Sequence, residues 1–186
     1  MPQAAALPWC RRLPPALERD IERALSSLAD APGANEASDL FLVGGGALAH
    51  AHDARRTTRD VDAIILGTNA ERVLSAARAL AGPLGLPERW LNDDVKRFIL
   101  RATDGPIVFP RKAFTVRAAS TGHLLAMKLA ARRDEVDIAD ARLLLGKVPS
   151  DLDTVWSLIG GTLPESAPAQ ARYYLEDLYE NLHGPR

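Results

Sequence analysis

Two aspartates separated by one residue, Asp60 and Asp62, stand at the head of an apolar run that ends at Leu66. In a strand, residues two apart project from the same side. The spacing therefore predicts two carboxylates on one face, which repel each other unless a cation lies between them. Magnesium suits such a pair, with manganese as an alternative, because hard divalent ions take oxygen ligands and bridge to phosphate oxygens. In nucleotidyl transfer, ions held this way activate the attacking oxygen and neutralise charge on the α-phosphate and the departing pyrophosphate. Upstream, Gly44, Gly45 and Gly46 follow a short apolar run and precede a helical pattern. Bare backbone amides at a helix N-terminus can approach a nucleotide phosphate closely. Asp-x-Asp and Gly-Gly are each weak signals. Their order, with a basic loop containing Arg55, Arg56 and Arg59 between them, is a much stronger one.

These residues must be positioned by the elements around them. Pro14 and Pro15 open a helical pattern reaching about residue 31, with Leu17, Ile21, Leu25 and Leu28 on one stripe. Residues 40–43 read as a buried strand, 46–52 as the first turns of a helix, 53–59 as a charged loop and 61–66 as the second strand. Asn69 is placed as the cap of a helix reaching about residue 80. A short helix at 92–96 and a strand at 98–101 are expected next. Strands at 107–109 and 114–117 follow, separated by Pro110. From Ser120 onward the pattern is helical, with segments at 120–133 (Ser120 as cap), 134–145, 151–159 and 167–182. The predicted architecture is α/β (α+β): a small mixed sheet flanked by helices, with a helical C-terminal half. The division expected is 1–118, a core with an N-terminal helix, and 119–186, a helical region packing on it.

Composition narrows the class. With 186 residues, 47% hydrophobic and 25% charged, the chain can bury one domain core. The net charge of −1 hides an asymmetry: residues 1–150 carry 21 Lys and Arg against 18 Asp and Glu, whereas residues 151–186 carry 2 against 6. A globally basic nucleic-acid binder is thereby excluded, and a local basic patch is not. No basic start followed by an apolar run, and no apolar stretch of roughly 18 residues, suggests a secreted or membrane protein. The single cysteine, Cys10, suits a reducing compartment. A cytoplasmic protein without a membrane partner is the expectation.

The run Phe41-Leu-Val-Gly-Gly-Gly-Ala-Leu-Ala, followed by Arg56-Thr-Thr-Arg-Asp60-Val-Asp62-Ala-Ile-Ile, resembles the first motif of the AbiEii/MenT-type nucleotidyltransferases. These are toxin components of toxin–antitoxin and phage-defence pairs within the polymerase-β-like superfamily. The segment from Leu124 to Ile138 is similar to that family's helical motif, in which a lysine precedes an arginine and an Asp-x-x-Asp. The resemblance covers about residues 38–146. It implies a nucleotidyltransferase fold, with Gly44, Gly45 and Gly46 positioning an NTP and Asp60 and Asp62 binding metal. Arg56 and Thr58 match the basic and hydroxyl positions before the acids. Lys128 would contact the nucleotide phosphates, and Asp137, with Asp134 beside it, would complete the acidic cluster or orient Lys128. Arg132 and Arg133 are secondary candidates. Some members are silenced by phosphorylation of a hydroxyl near the metal pair, and Thr58 is the matching regulatory position here. The chain departs from the superfamily in two ways: no third metal carboxylate lies in 107–109 or 114–117, with Asp104 only a loop candidate, and three glycines replace a pair followed by a hydroxyl.

Blander readings exist for several of these residues. Lys128 could snorkel from a helix edge. Arg132, Arg133 and Arg142 with Asp134, Asp137 and Asp140 could form ordinary i,i+3 and i,i+4 pairs. His50 and His52 are too few for a zinc site. Trp90, Trp156, Tyr173 and Tyr174 suit helix packing better than base stacking. The function expected is metal-dependent transfer of NMP from NTP to an acceptor, implied by the resemblance to be the tRNA 3′ end, by a toxin with a cognate antitoxin. A basic rim of Arg55, Arg56, Arg59, Arg111 and Lys112 would meet RNA phosphates. Two alternatives are a transferase acting on a small molecule or protein, and an inactive binding protein on the same fold.

Overall fold

The apolar run headed by Asp60 and Asp62 is realised as a strand. Within Val61–Leu66 (β2), Val61, Ala63 and Ile65 are buried, and Asp62, Ile64 and Leu66 take the opposite side. The computed structural model describes residues 15–32, 34, 38–51, 60–95, 105–111, 113–131, 135–148, 151–163 and 168–184. Around β2 lie α1 (Pro15–Ala29), β1 (Ser38–Leu42), α2 (Gly44–Ala51), α3 (Ala70–Leu84), β3 (Leu91–Asn92), β4 (Ile107–Arg111) and β5 (Phe114–Ala118). The C-terminal half is helical: α4 (Thr121–Ala131), α5 (Glu135–Leu145), α6 (Leu152–Gly160) and α7 (Pro168–His183).

The five strands form one mixed sheet in the order β3-β2-β1-β5-β4. β1 pairs antiparallel with β2, with Leu42 opposite Ala63, and parallel with β5, with Leu42 opposite Ala118. β2 pairs parallel with β3, and β4 antiparallel with β5. The bare ends of the sheet are short or punctuated. Pro110 lies inside β4 rather than between strands; β4 is an edge, so the missing N–H costs no ladder bond on its outer side.

Helix ends explain three differences from the pattern reading. α2 starts at Gly44 and not at Gly46, so the glycines are its first turn. α3 runs past Gly82 and Pro83 to Leu84, because a proline in the last turn removes only one bond. Gly85, at φ 68°, then ends the helix, and Leu86 N–H reaches Ala81 O at 2.9 Å. Asn69 stands at the cap position of α3 without a side-chain capping bond. By contrast, Ser120 Oγ accepts from His123 N–H at 3.3 Å, and Asp151 accepts from Asp153 N–H and Thr154 N–H at 3.1 and 2.9 Å.

Of the segment expected to be helical, 92–96, Asn92 belongs instead to the two-residue strand β3, Asp94 and Val95 form a short 3₁₀ turn, and residue 96 lies outside the described residues. Trp90 causes this. Its ring is buried, its indole N–H donates to Ala77 O of α3 at 2.8 Å, and its carbonyl accepts from Val61 N–H at 2.6 Å. The chain is thereby drawn alongside β2. The strand expected at 98–101 lies outside the described residues.

α4 is the hub of the helical half, touching α5, α6 and α7. One continuous cluster of buried apolar residues takes members from α1, the sheet, α3, α4, α5, α6 and α7. Arg172 ties the last two helices together. It pairs with Asp153 at 2.9 Å and Glu176 at 2.8 Å, and its guanidinium lies 5.2 Å from the centroid of the Trp156 ring. Among the described residues no helix is long and apolar enough to cross a membrane.

Candidate functional site

The pairing of β1 with β2 fixes what stands beside the glycines. Past the Leu42–Ala63 pair, Val43 N–H donates to Asp62 O at 2.9 Å, so α2 begins where β2 begins. Gly44 has φ +61°, and a Cβ placed there would lie 2.8 Å from Asp62 Oδ2. The left-handed backbone favours glycine here, and the Asp62 carboxylate oxygen occupies the space a side chain would need. Gly46 is different, since its Cβ would meet only Val61 Cγ1 at an ordinary 3.8 Å. The first bond inside α2 runs from Ala47 N–H to Val43 O at 3.4 Å. The amides of Gly44, Gly45 and Gly46 thus precede the helical ladder and form its positive end, with the Asp62 carboxylate beside them.

The two acids are not equivalent. Asp62 is half-buried within β2, whereas Asp60 is exposed in the bend that leads into the strand. The strand alternation that would align them thus begins only at Val61. Opposite Asp62, in register on β3, stands Asn92, which is buried. Paired residues of adjacent strands share a face, so Asn92 belongs to this site. Sequence reading missed it because a two-residue strand has no periodicity; the neighbouring Trp90 is the signal that could have located it.

A second constellation lies between α4 and α5. Lys128 Nζ is 2.6 Å from Asp137 Oδ1 and 2.9 Å from Asp140 Oδ2. Both acids are almost wholly buried, at 3% and 2% side-chain exposure, against 13% for the lysine. Asp137 pairs with Lys128, and so does Asp140, three residues on and on the same face of α5, while Asp134 lies outside the described residues. The visible signal was two acids at helical spacing among Ile138, Ala141, Leu144 and Leu145. A small cleft opens beside this trio, walled by Lys128, Asp137, Tyr174 and Asp177 and by the apolar Leu129, Ile138, Ala141 and Leu178.

The two constellations are joined through α4. Ala119 N–H donates to Leu42 O at 2.8 Å, so β5 delivers the chain into α4 at the end of the sheet where Gly44 and Asp62 lie. Lys128 follows the start of α4 by seven residues, about 10 Å along the helix axis. Within the first turn, His123 packs edge-on against Phe41 of β1, with ring centroids 5.5 Å apart. Its burial pushes the imidazole pKa below the ordinary 6.5.

Other predicted residues fall elsewhere. Arg111, expected on an RNA-facing rim, donates to Ser26 Oγ at 2.7 Å and fastens β4 to α1. Arg55, Arg56, Thr58, Arg59, Lys112, Arg132 and Arg133 lie outside the described residues, as do Asp104 and His52. Among the described residues no three His, Cys, Asp or Glu side chains gather closely enough to share a metal ion. No protein-family model matches this chain, and no curated protein matches its sequence.

Proposed function

We propose that the chain is a metal-dependent nucleotidyltransferase that moves NMP from an NTP to an acceptor. The observation that carries this reading is the Asp62 carboxylate lodged against Gly44 at the N-terminus of α2. A triphosphate drawn to the amides of α2 would lie against that carboxylate, and anion beside anion requires a cation between them. The donors fit a hard divalent ion, since carboxylate oxygens from Asp62 and Asp60 would combine with phosphate oxygens and water. Magnesium or manganese bound there would offset the charge of the triphosphate and favour deprotonation of the attacking hydroxyl.

The chain's own residues have separable tasks in this scheme. Gly44 admits the phosphates to the main chain, and the α2 amides orient them. Lys128, ion-paired with Asp137 and Asp140, would offer its ammonium to a phosphate oxygen. Asp137 and Asp140 hold its position. The acceptor oxygen attacks the α-phosphorus, the bond to the β-phosphate bridging oxygen breaks, and pyrophosphate leaves with that oxygen. The resemblance to AbiEii/MenT-type toxins favours a tRNA 3′ end as acceptor and a cognate antitoxin as partner.

The acid count favours one second reading. With no third carboxylate among the described residues, a non-catalytic nucleotide-binding protein would present the same features. The test is incubation with NTPs labelled at the α-phosphate, Mg²⁺, and separate RNA, protein and small-molecule fractions. Label in tRNA, abolished by Asp62→Ala, is the expected result. Label in another fraction moves the acceptor, and label in none favours the non-catalytic reading.

A further inference from the structure

The register of the sheet puts an uncharged side chain beside the Asp62 carboxylate. Asn92 is directly opposite Asp62 in the parallel β2–β3 pair, with strands ~4.8 Å apart, and is only 8% exposed. Its amide orientation is fixed by chemistry. Asp94 N–H donates to Asn92 Oδ1 at 3.3 Å, so the carbonyl end of the amide is the engaged one. A carboxylate at this buried position would face Asp62 at strand spacing and repel it in the absence of a cation. An amide removes that repulsion.

We infer that Asn92, the neutral side chain in register with Asp62, keeps a further negative charge out of the Gly44–Asp62 site. The inference rests on the proposed nucleotide site and adds a consequence to it. The apo protein binds free divalent ions weakly and acquires its metal together with the triphosphate, whose oxygens supply the missing charge. A single atom exchange, Asn92→Asp, should convert the site into one that captures the ion alone.

The experiment titrates the full chain with MnCl₂ by calorimetry in the absence of nucleotide. The expected result is at least tenfold tighter Mn²⁺ binding by Asn92→Asp than by the wild type, lost again when Asp62→Asn is added. Melting curves run alongside should show Asn92→Asp destabilised without metal and restored by Mn²⁺. Since that variant could fail to fold, a second measurement uses the wild type. Mn²⁺ with a non-hydrolysable NTP should broaden the side-chain NH₂ resonances of Asn92 together with the Gly44 amide. Broadening at Gly44 with sharp Asn92 signals, or a tenfold gain that survives Asp62→Asn, overturns the role of Asn92 alone. No broadening at Gly44 overturns the nucleotide site itself, and the inference with it.

Discussion

Gly44 and Asp62 define each other. One needs the left-handed backbone that a glycine adopts without strain, and the other fills the space that a side chain at Gly44 would occupy. Lys128 shows the same mutual dependence at a higher stake. Two buried carboxylates converge on one ammonium, so removing it leaves uncompensated charge away from water. Lys128→Met should cost roughly 3–5 kcal/mol, which lowers the melting temperature by roughly 10 °C in a chain of this length. Adding Asp137→Asn and Asp140→Asn to that variant should recover part of the loss. An unchanged melting temperature in Lys128→Met would show that the trio is not a stabilising unit. At this scale the sequence was readable wherever a residue type has few alternative uses. Asp62 beside a glycine run could be anticipated, and so could a lysine sharing an apolar helix with acids on the next. That Asp140 joins Asp137 on that lysine could not, because acids follow one another at equal spacing along this stretch and only the packing of α5 on α4 brings these two to it.

Elements with strong apolar patterns were legible to within a few residues. β2 occupies 61–66, the apolar run that Asp60 and Asp62 head, and α4 to α7 lie within a few residues of their apolar patterns. β3 was not legible, because it exists through tertiary contacts of Trp90 and has no pattern of its own. Gly82 and Pro83 misled in the opposite direction, since their ordinary meaning as a helix end is overridden when Gly85 supplies the cap. The junction of β1 with α4 carries a pH dependence. His123 is buried against Phe41, and its pKa is held below the ordinary 6.5 by desolvation. The unfolded chain therefore takes up a proton more readily than the folded one. This group's contribution to stability is intact above about pH 6.5 and declines as the pH falls toward the depressed folded value. The melting temperature should fall between pH 7 and pH 5.5, and His123→Asn should flatten that slope. An equal slope in the variant would assign the acid sensitivity to other groups.

The molecule as a whole is a mixed sheet with its candidate phosphate site at one end and a helical assembly rooted at that same end through α4. Its charge is unevenly spread, with the acidic surplus in residues 151–186, beyond the segments that build the site. A polyanionic acceptor would thus be disfavoured along α6 and α7 and admitted from the sheet side. Composition made the asymmetry legible, whereas the meeting of the β1–α2 turn with β2 depends on strand order, which no local pattern encodes. The most direct measurement is calorimetric binding of a non-hydrolysable NTP in the presence of Mg²⁺, comparing the wild type with Asp62→Asn and using melting curves to establish that both are folded. Saturable binding by the wild type, reduced at least tenfold in the variant and on omission of Mg²⁺, is the result predicted. Absence of binding by the folded wild type, or equal affinity in Asp62→Asn, would contradict a divalent ion and triphosphate held between that carboxylate and the α2 amides.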